Sequence, residues 1–200
     1  MKKKLFTNLI CLFLLINFQA LSQESSKLNF LKGQKNLKIE YDYDSMGVGS
    51  FAKEADYINR KVEEYNSKEP GKGDKWLLAW KGDRARVFQP KFETMLNRYV
   101  NPELTAGPSF ADAQYILVVK TTFTEPGFNA GWPIKKDASI NVVYEFFDIN
   151  DRHKVIAKLS NNNIPGRMAG GFDFDASLRI SEAYGTAGKA LGKYLATIIK

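Results

Sequence analysis

Residues 113–123 read Ala-Gln-Tyr-Ile-Leu-Val-Val-Lys-Thr-Thr-Phe, and this stretch decides the fold class. Its apolar residues run without interruption from Tyr115 to Val119, which is typical of a central strand covered on both faces. Residues 138–148 then alternate apolar and polar side chains, and residues 154–159 follow a polar turn as a hairpin partner. Residues 113–159 therefore predict three consecutive strands.

The remaining elements are predicted from hydrophobic periodicity. Residues 37–44 alternate apolar and charged side chains, which predicts a fourth strand with one buried face. Helical spacing predicts helices over 51–65, 74–88, 90–99 and 177–199. Ser50 or a neighbour is expected to cap the first, Asp74 the second and Asp175 the last, and Pro90 is expected to begin the third. Small residues along the last helix predict its close approach to the sheet. The fold class is α+β, with a four-stranded, mainly antiparallel sheet and three or four helices packed mostly on one face.

The first 22 residues have the pattern of a secretory signal peptide. Three lysines precede an apolar run from Leu5 to Phe18, and small residues follow at Ala20 and Ser22. The run is shorter than the roughly 20 apolar residues that a membrane span needs. The predicted organisation is a signal peptide over 1–22, a flexible segment over 23–36 and one α+β domain over 37–200. We expect an exported protein, periplasmic or extracellular, with association with the outer membrane left open and no stable transmembrane span after cleavage.

Charge and cysteine content narrow the function classes. The full chain carries a net charge of +7, and loss of the three leader lysines would leave +4. This mild excess gives little support for nucleic-acid binding, which needs basic residues clustered on one face. The only cysteine, Cys11, lies inside the leader. The mature chain is therefore expected to have no disulfide, no thiol nucleophile and no thiolate metal ligand.

The motifs that could carry chemistry are weak. Gly47-Val48-Gly49 follows a predicted strand, but no second strand with a ribose-binding acid comes after the helix, so a tight turn is the preferred interpretation. The acidic pairs are Asp42 with Asp44, Asp148 with Asp151, and Asp173 with Asp175. None of these pairs has calcium-loop spacing, which favours solvated or capping roles. His153, the only histidine, is expected in an exposed turn. We predict no catalytic residues, no metal site and no cofactor.

Two aromatic groups could contact a ligand or a partner. Trp76 and Trp80 share one helical face, which favours core packing against the sheet over a ligand-stacking platform. The loop 124–137 is longer than a strand connection requires, and we select Phe128, Asn129 and Trp132 in it as candidate binding residues. Covering one end of the core is the alternative for this loop. A second long segment, 160–176, is rich in Gly and Asn and is predicted to be a loop, functional or structural.

A family resemblance is carried by Lys72-Gly73-Asp74-Lys75-Trp76, Trp80, Asp83-Arg84, Pro90-Lys91-Phe92 and the run from Lys120 to Asn129. In these residues the chain resembles an uncharacterised family of small exported, signal-peptide-bearing proteins of Gram-negative envelopes. The resemblance spans most of the mature chain and implies a location outside the cytoplasm. It brings no known catalytic or ligand-binding residues.

The leading functional expectation is a non-enzymatic envelope protein that binds another protein or assembly through its long loops. The alternative is a small-molecule or glycan-binding module that uses the aromatic residues of loop 124–137. A hydrolase that uses carboxylates is a third and less favoured interpretation. It would need two acids converging in one cleft.

Overall fold

The computed structural model describes residues 27–129, 134–166 and 175–200. Its main sheet contains β1 (Asn36–Asp42), β2 (Gly47–Val48), β3 (Thr105–Gly107), β4 (Tyr115–Glu125), β7 (Ala138–Asp148) and β8 (Asp151–Gly166). Two further strands, β5 (Phe128–Asn129) and β6 (Lys135–Lys136), form a separate small ribbon. The α+β class is confirmed.

The sheet is mixed, so the prediction of four mainly antiparallel strands is wrong in detail. The strand order is β3-β1-β4-β7-β8, and β2 also pairs with β4. β1 lies parallel to both β3 and β4, whereas β4, β7 and β8 are antiparallel neighbours. The long helical connection between β1 and β4 brings the chain back to the same end of the sheet, which makes these two strands parallel. β4 is the central strand, as its continuous apolar run predicts.

Within the described ranges, four α-helices accompany the sheet: α1 (Glu54–Lys68), α2 (Lys72–Asp83), α3 (Gln89–Val100) and α4 (Ala176–Ile199). A π-helical segment (Arg84–Phe88) joins α2 to α3 without a break. The predicted start of a second segment at Pro90 is confirmed to within one residue, because α3 begins at Gln89 and Pro90 lies in its first turn. Two of the predicted caps fail, since α1 follows Lys53 and α2 follows Gly71.

The core lies between one face of the sheet and the helices α3 and α4. It contains Leu37 and Ile39 of β1, Leu117 and Val119 of β4, Tyr144 and Phe146 of β7, and Phe92, Leu96, Tyr184 and Leu195 of the helices. Asp175 caps α4, as predicted, by accepting a hydrogen bond from the Ser177 backbone N–H at 2.8 Å. The opposite face of the sheet carries ion pairs, among them Lys120 with Asp42 and Arg152 with Glu40.

The glycines of α4 face another helix and not the sheet, which corrects the prediction. Gly188 lies against Phe92, and Gly192 lies against Leu96, so α3 and α4 run side by side in the same direction. A methyl group on Gly192 would come within 2.7 Å of the Leu96 carbonyl oxygen. The small side chains therefore let two helix backbones approach closely.

The two long predicted loops are partly regular structure. β8 extends to Gly166, so residues 160–166 are strand, and Ala176 already belongs to α4. In the segment 124–137, β4 continues through Glu125 and the short strands β5 and β6 pair beyond it. The sequence signal fails at these points because Asn, Gly and Pro lower strand propensity without preventing edge pairing.

Candidate functional site

The candidate binding residues of loop 124–137 are only partly placed by the structure. The Phe128 side chain is 49% exposed on β5, and its backbone pairs with Lys136. Asn129 pairs with Lys135, and Trp132 lies outside the described residues. A binding role for Phe128, Asn129 and Trp132 therefore remains a prediction.

The base of this loop is fastened to the body of the protein. Arg179 of α4 is buried, and its guanidinium donates hydrogen bonds to the carbonyl oxygens of Pro126 and Gly127, each at 3.2 Å. The Lys136 ammonium lies 2.6 Å from the Glu125 carboxylate. Gly127 has a φ of 63°, a left-handed conformation that favours glycine. These contacts agree with a structural role for the base of the loop.

Trp76 and Trp80 pack inside the hairpin of α1 and α2. Their rings stack with centroids 5.6 Å apart, and Tyr57 of α1 contacts both rings. The pair therefore holds the two helices together. The prediction of core packing is confirmed only in part, because these rings pack against α1 and the prediction placed them against the sheet. Leu78, two residues before Trp80, is exposed on the outside of the hairpin.

A cavity of about 560 Å³ lies where the start of α1 and the end of α2 meet the segment after β1. We call it the Arg84 cavity. Its charged lining consists of Asp44, Lys53, Glu54, Lys81 and Arg84, and its apolar lining includes Tyr43, Met46 and Ile58. The volume falls within the range of roughly 300–1,000 Å³ that is usual for small-molecule sites.

Glu54 joins the two helices of the hairpin at one wall of this cavity. Its carboxylate accepts hydrogen bonds from the Trp80 indole at 2.6 Å and the Lys81 ammonium at 2.7 Å, and also from the Arg84 guanidinium. Burial opposes ionisation of this carboxyl, but the three donors outweigh it and hold the Glu54 pKa below its ordinary value. The Glu54 carboxyl is therefore ionised at neutral pH and links the start of α1 to the end of α2.

Arg84 is held in one orientation. Its guanidinium carbon lies 4.2 Å from the centroid of the Tyr43 ring, a cation–π contact, while Glu54 holds the other side. Among the described residues, Glu54 is its only hydrogen-bond partner. An arginine has five N–H donors, so Glu54 leaves some of them without a hydrogen-bond partner among the described residues. Arg84 is also the first residue of the π-helical segment, a feature that is frequent at functional sites.

A buried polar chain continues behind Tyr43. The Gln89 amide donates to the Tyr43 hydroxyl at 3.5 Å, and the Tyr184 hydroxyl lies 2.6 Å from the Thr121 hydroxyl. Burial raises the pKa of both Tyr43 and Tyr184, so both hydroxyls are neutral at physiological pH. The wall behind Arg84 is therefore a fixed set of neutral hydrogen-bonding groups.

Two charged groups at the cavity have no ion pair within the part of the chain that the structure describes. These are the Lys53 ammonium and the Asp44 carboxylate. The cavity is lined by three cations, Lys53, Lys81 and Arg84, and by two carboxylates, Asp44 and Glu54. Its lining therefore carries an excess of one positive charge. The arrangement can attract a small anion.

The other predicted sites contain nothing that would hold a ligand in the described ranges. Asp42 forms an ion pair with Lys120. Burial raises the Asp42 pKa, but the hydrogen bonds from Lys120 and from the Asp44 backbone N–H outweigh burial and hold this pKa below its usual value. His153 is exposed, as predicted, but it lies in strand β8 and not in a turn. No group of three or more His, Cys, Asp or Glu residues that could bind a metal ion occurs in residues 27–129, 134–166 or 175–200. Asp173 lies outside these ranges.

Sequence reasoning did not identify the Arg84 cavity. Asp83 and Arg84 enter the sequence analysis only through the family resemblance, and neither Lys53 nor Glu54 lies in a recognisable motif. Glu54 lies 30 residues before Arg84, and only the antiparallel hairpin brings the two together. The available signal was Lys81 and Arg84 at a three-residue spacing on one helix, opposite the acidic start of the other.

Comparisons with known proteins add little. No family profile matches the chain, and no curated protein matches its sequence. Among solved structures, the crystal structure of a DUF330 protein from Xanthomonas campestris is similar, with a TM-score of 0.38 and 12% sequence identity. The similarity covers 82% of this chain and 85% of that chain. A TM-score this low supports no inference about function. In the described residues no helix has the length and apolar character needed to cross a membrane.

Proposed function

We propose that this protein is a binding module that takes a small anionic ligand, carrying a carboxylate or phosphate group, in the Arg84 cavity. The observation that supports the proposal is the Arg84 guanidinium, which is fixed between Tyr43 and Glu54 and keeps donors available at the cavity wall. A guanidinium in this setting can form two parallel hydrogen bonds to one oxyanion. Preorganisation lowers the entropy cost of binding, because the side chain is already ordered.

The other charged groups of the cavity define what such a ligand would look like. Lys53 is exposed and free of protein partners among the described residues, so it supplies a second cationic contact. Asp44 can accept a hydrogen bond from a hydroxyl or ammonium group on the same ligand. Tyr43, Met46 and Ile58 provide an apolar surface for its carbon skeleton. The ligand class is therefore a small organic anion that also carries a hydrogen-bond donor.

Isothermal titration calorimetry at low ionic strength tests this proposal, with inorganic phosphate and citrate as probes for the two anion classes. Saturable binding of at least one probe is expected. Lys53→Gln should weaken it about threefold, the effect of one exposed charge contact. Arg84→Lys keeps the charge but loses the paired donors, so a loss of about tenfold is expected.

Lys75→Gln is the matched control, because Lys75 is an exposed lysine of α2 that does not line the cavity. The affinity of Lys75→Gln for either probe should equal that of the unmodified protein. Urea unfolding of each variant separates a binding defect from a folding defect. If neither probe binds at millimolar concentration, or if Lys53→Gln and Lys75→Gln lose affinity equally, a specific anion site is refuted.

We also propose that the protein is exported to the envelope. The support for this is the signal-peptide pattern of residues 1–22, which lie outside the described residues. The intact mass of the protein recovered from its native cell tests it, since cleavage after Ser22 removes the leader.

Contact of Phe128 with a protein partner also remains a prediction, supported by the half-exposed ring. Comparison of co-purifying proteins between the unmodified chain and Phe128→Ala tests it, with the exposed Val155→Ala as the control.

A further inference from the structure

The strand β8 forms one edge of the main sheet, and in the described part of the chain it pairs only with β7. Register shifts interrupt this pairing before Ala157 and after Asn161, whereas residues 157–161 pair with β7 without interruption. The outer side of an edge strand presents backbone N–H and C=O groups that another extended chain can bind. Because a bulge disturbs such pairing, residues 157–161 are the part of the β8 edge that is regular enough to accept another strand.

A cavity of about 380 Å³ lies beside this regular stretch, between β8 and α4. Leu159 of β8 and Leu191 and Tyr194 of α4 contribute apolar surface to it. We call the cavity together with the edge of residues 157–161 the β8 groove. A groove between an edge strand and a helix suits a peptide that pairs with the strand, because alternate side chains of the added peptide then point toward the helix.

Cations outnumber acids along β8 and the part of α4 that accompanies it. In β8 and in α4 from residue 183 onward the one acid is Asp151, and the cations are Arg152, Lys154, Lys158, Lys189 and Lys193. Glutamates of neighbouring strands pair with two of these cations, and a third lies over the Tyr99 ring. Lys154 and Lys189 are exposed and form no ion pair within the described residues. This excess of positive charge favours an acidic partner.

We infer that the β8 groove binds an extended, acidic segment of another protein, which adds a strand to the main sheet beside residues 157–161. Backbone hydrogen bonds to β8 supply affinity, alternate apolar side chains enter the cavity, and acidic side chains approach Lys154 and Lys189. A second copy of the chain fits less well, because antiparallel pairing of β8 with itself would bring the cations of the two copies together. The groove shares no lining residue with the Arg84 cavity, so it is independent of the anion site proposed above.

The test starts from a phage-displayed library of short random peptides, selected on the unmodified protein. Enriched peptides should carry apolar residues at alternate positions together with Asp or Glu. The most enriched peptide, made with a fluorescein label, then gives dissociation constants by fluorescence polarisation. When this peptide is bound, hydrogen exchange measured by nuclear magnetic resonance should slow at those N–H groups of residues 157–161 that do not bind β7. Exchange at β3, the other edge of the sheet, should not change.

Matched variants locate the bound peptide. Ala190→Trp places a ring at an exposed residue that lines the cavity, so it should weaken binding of the labelled peptide about tenfold. Ala79→Trp makes the same change at an exposed alanine of α2 and should bind the peptide as the unmodified protein does. Lys189→Gln should weaken binding about threefold, the effect of one exposed charge contact, whereas Lys75→Gln on α2 should not change it.

The inference is overturned if no peptide is enriched, if the enriched peptides carry no acid, or if the two tryptophan variants bind the labelled peptide equally. Unchanged hydrogen exchange across residues 157–161 overturns it too, because the peptide would then bind without adding a strand. A dimer in analytical ultracentrifugation that Ala190→Trp abolishes would assign the groove to a second copy of the chain and would likewise overturn the inference.

Discussion

Replacing Gly192 of α4 with alanine should separate α3 from α4 and destabilise the protein. The added methyl carbon would lie 2.7 Å from the Leu96 carbonyl oxygen, 3.1 Å from the Tyr99 Cβ and 3.3 Å from the Leu96 Cα. The first distance is about 0.6 Å shorter than an ordinary carbon–oxygen contact. Because two of the three neighbours are backbone atoms of a helix, the overlap is relieved only when the helices move apart.

The magnitude follows from two opposing effects. Alanine stabilises a helix interior by about 1 kcal/mol relative to glycine. Overpacking typically costs about 1–3 kcal/mol, and a gap of about 0.5 Å along an interface already removes a quarter of its dispersion energy. We expect the upper part of that range, since Phe92, Leu96 and Leu195 are fully buried at this interface. The net loss should be about 1–2 kcal/mol.

Gly82→Ala is the matched control. Gly82 lies in α2, and a methyl group there would meet no atom within 4 Å. It should gain about 1 kcal/mol from helix propensity alone. The two variants should therefore differ by about 2–3 kcal/mol in the free energy of unfolding, or roughly 4–12 °C in melting temperature.

Urea and thermal unfolding followed by circular dichroism measure this difference. Gly188→Ala should lose more stability than Gly192→Ala, because its methyl group would overlap the Phe92 carbonyl oxygen more deeply. If Gly192→Ala proves as stable as Gly82→Ala, the close approach of α3 and α4 does not constrain this position and the reasoning is wrong.

Two further predictions concern carboxyl groups with opposite pKa shifts. Glu54→Gln should lose about 1–3 kcal/mol of unfolding free energy at pH 7, because it breaks hydrogen bonds between charged groups. The folded-state pKa of Glu54 is lowered, so its contribution to stability is present above its unfolded pKa and is lost as the pH falls through the folded value. The difference in stability between Glu54→Gln and the unmodified protein should therefore shrink below about pH 4. Glu93→Gln should gain up to about 0.5 kcal/mol at pH 7, because burial raises the Glu93 pKa and the folded state favours its neutral form, while glutamine still accepts the Tyr41 hydrogen bond. The gain should vanish as the pH falls below the unfolded pKa. Urea unfolding at pH 7 and pH 3 checks both signs, and equal differences at the two pH values would contradict them.

The Arg84 cavity shows why the candidate site was harder to predict than the fold. Its charged side chains come from the start of α1, the end of α2 and the segment after β1. No short motif contains them, and each residue has an ordinary surface interpretation when read alone. Their chemistry arises only when the hairpin closes and Glu54 reaches Arg84, so the pattern exists in space and not along the chain.

The sequence by itself determined the strands β1, β4 and β7, the amphipathic helices and the cap at Asp175, because these depend on local periodicity and on side chains that reach their own backbone. The tertiary structure decided the parallel pairing of β1 with β4, the extension of β8 to Gly166 and the contact of the α4 glycines with α3. It also decided which charges meet at Arg84 and which strand forms the edge of the sheet beside α4. These outcomes depend on contacts between residues far apart in the chain, whose free energies come from packing geometry and burial that no local pattern encodes.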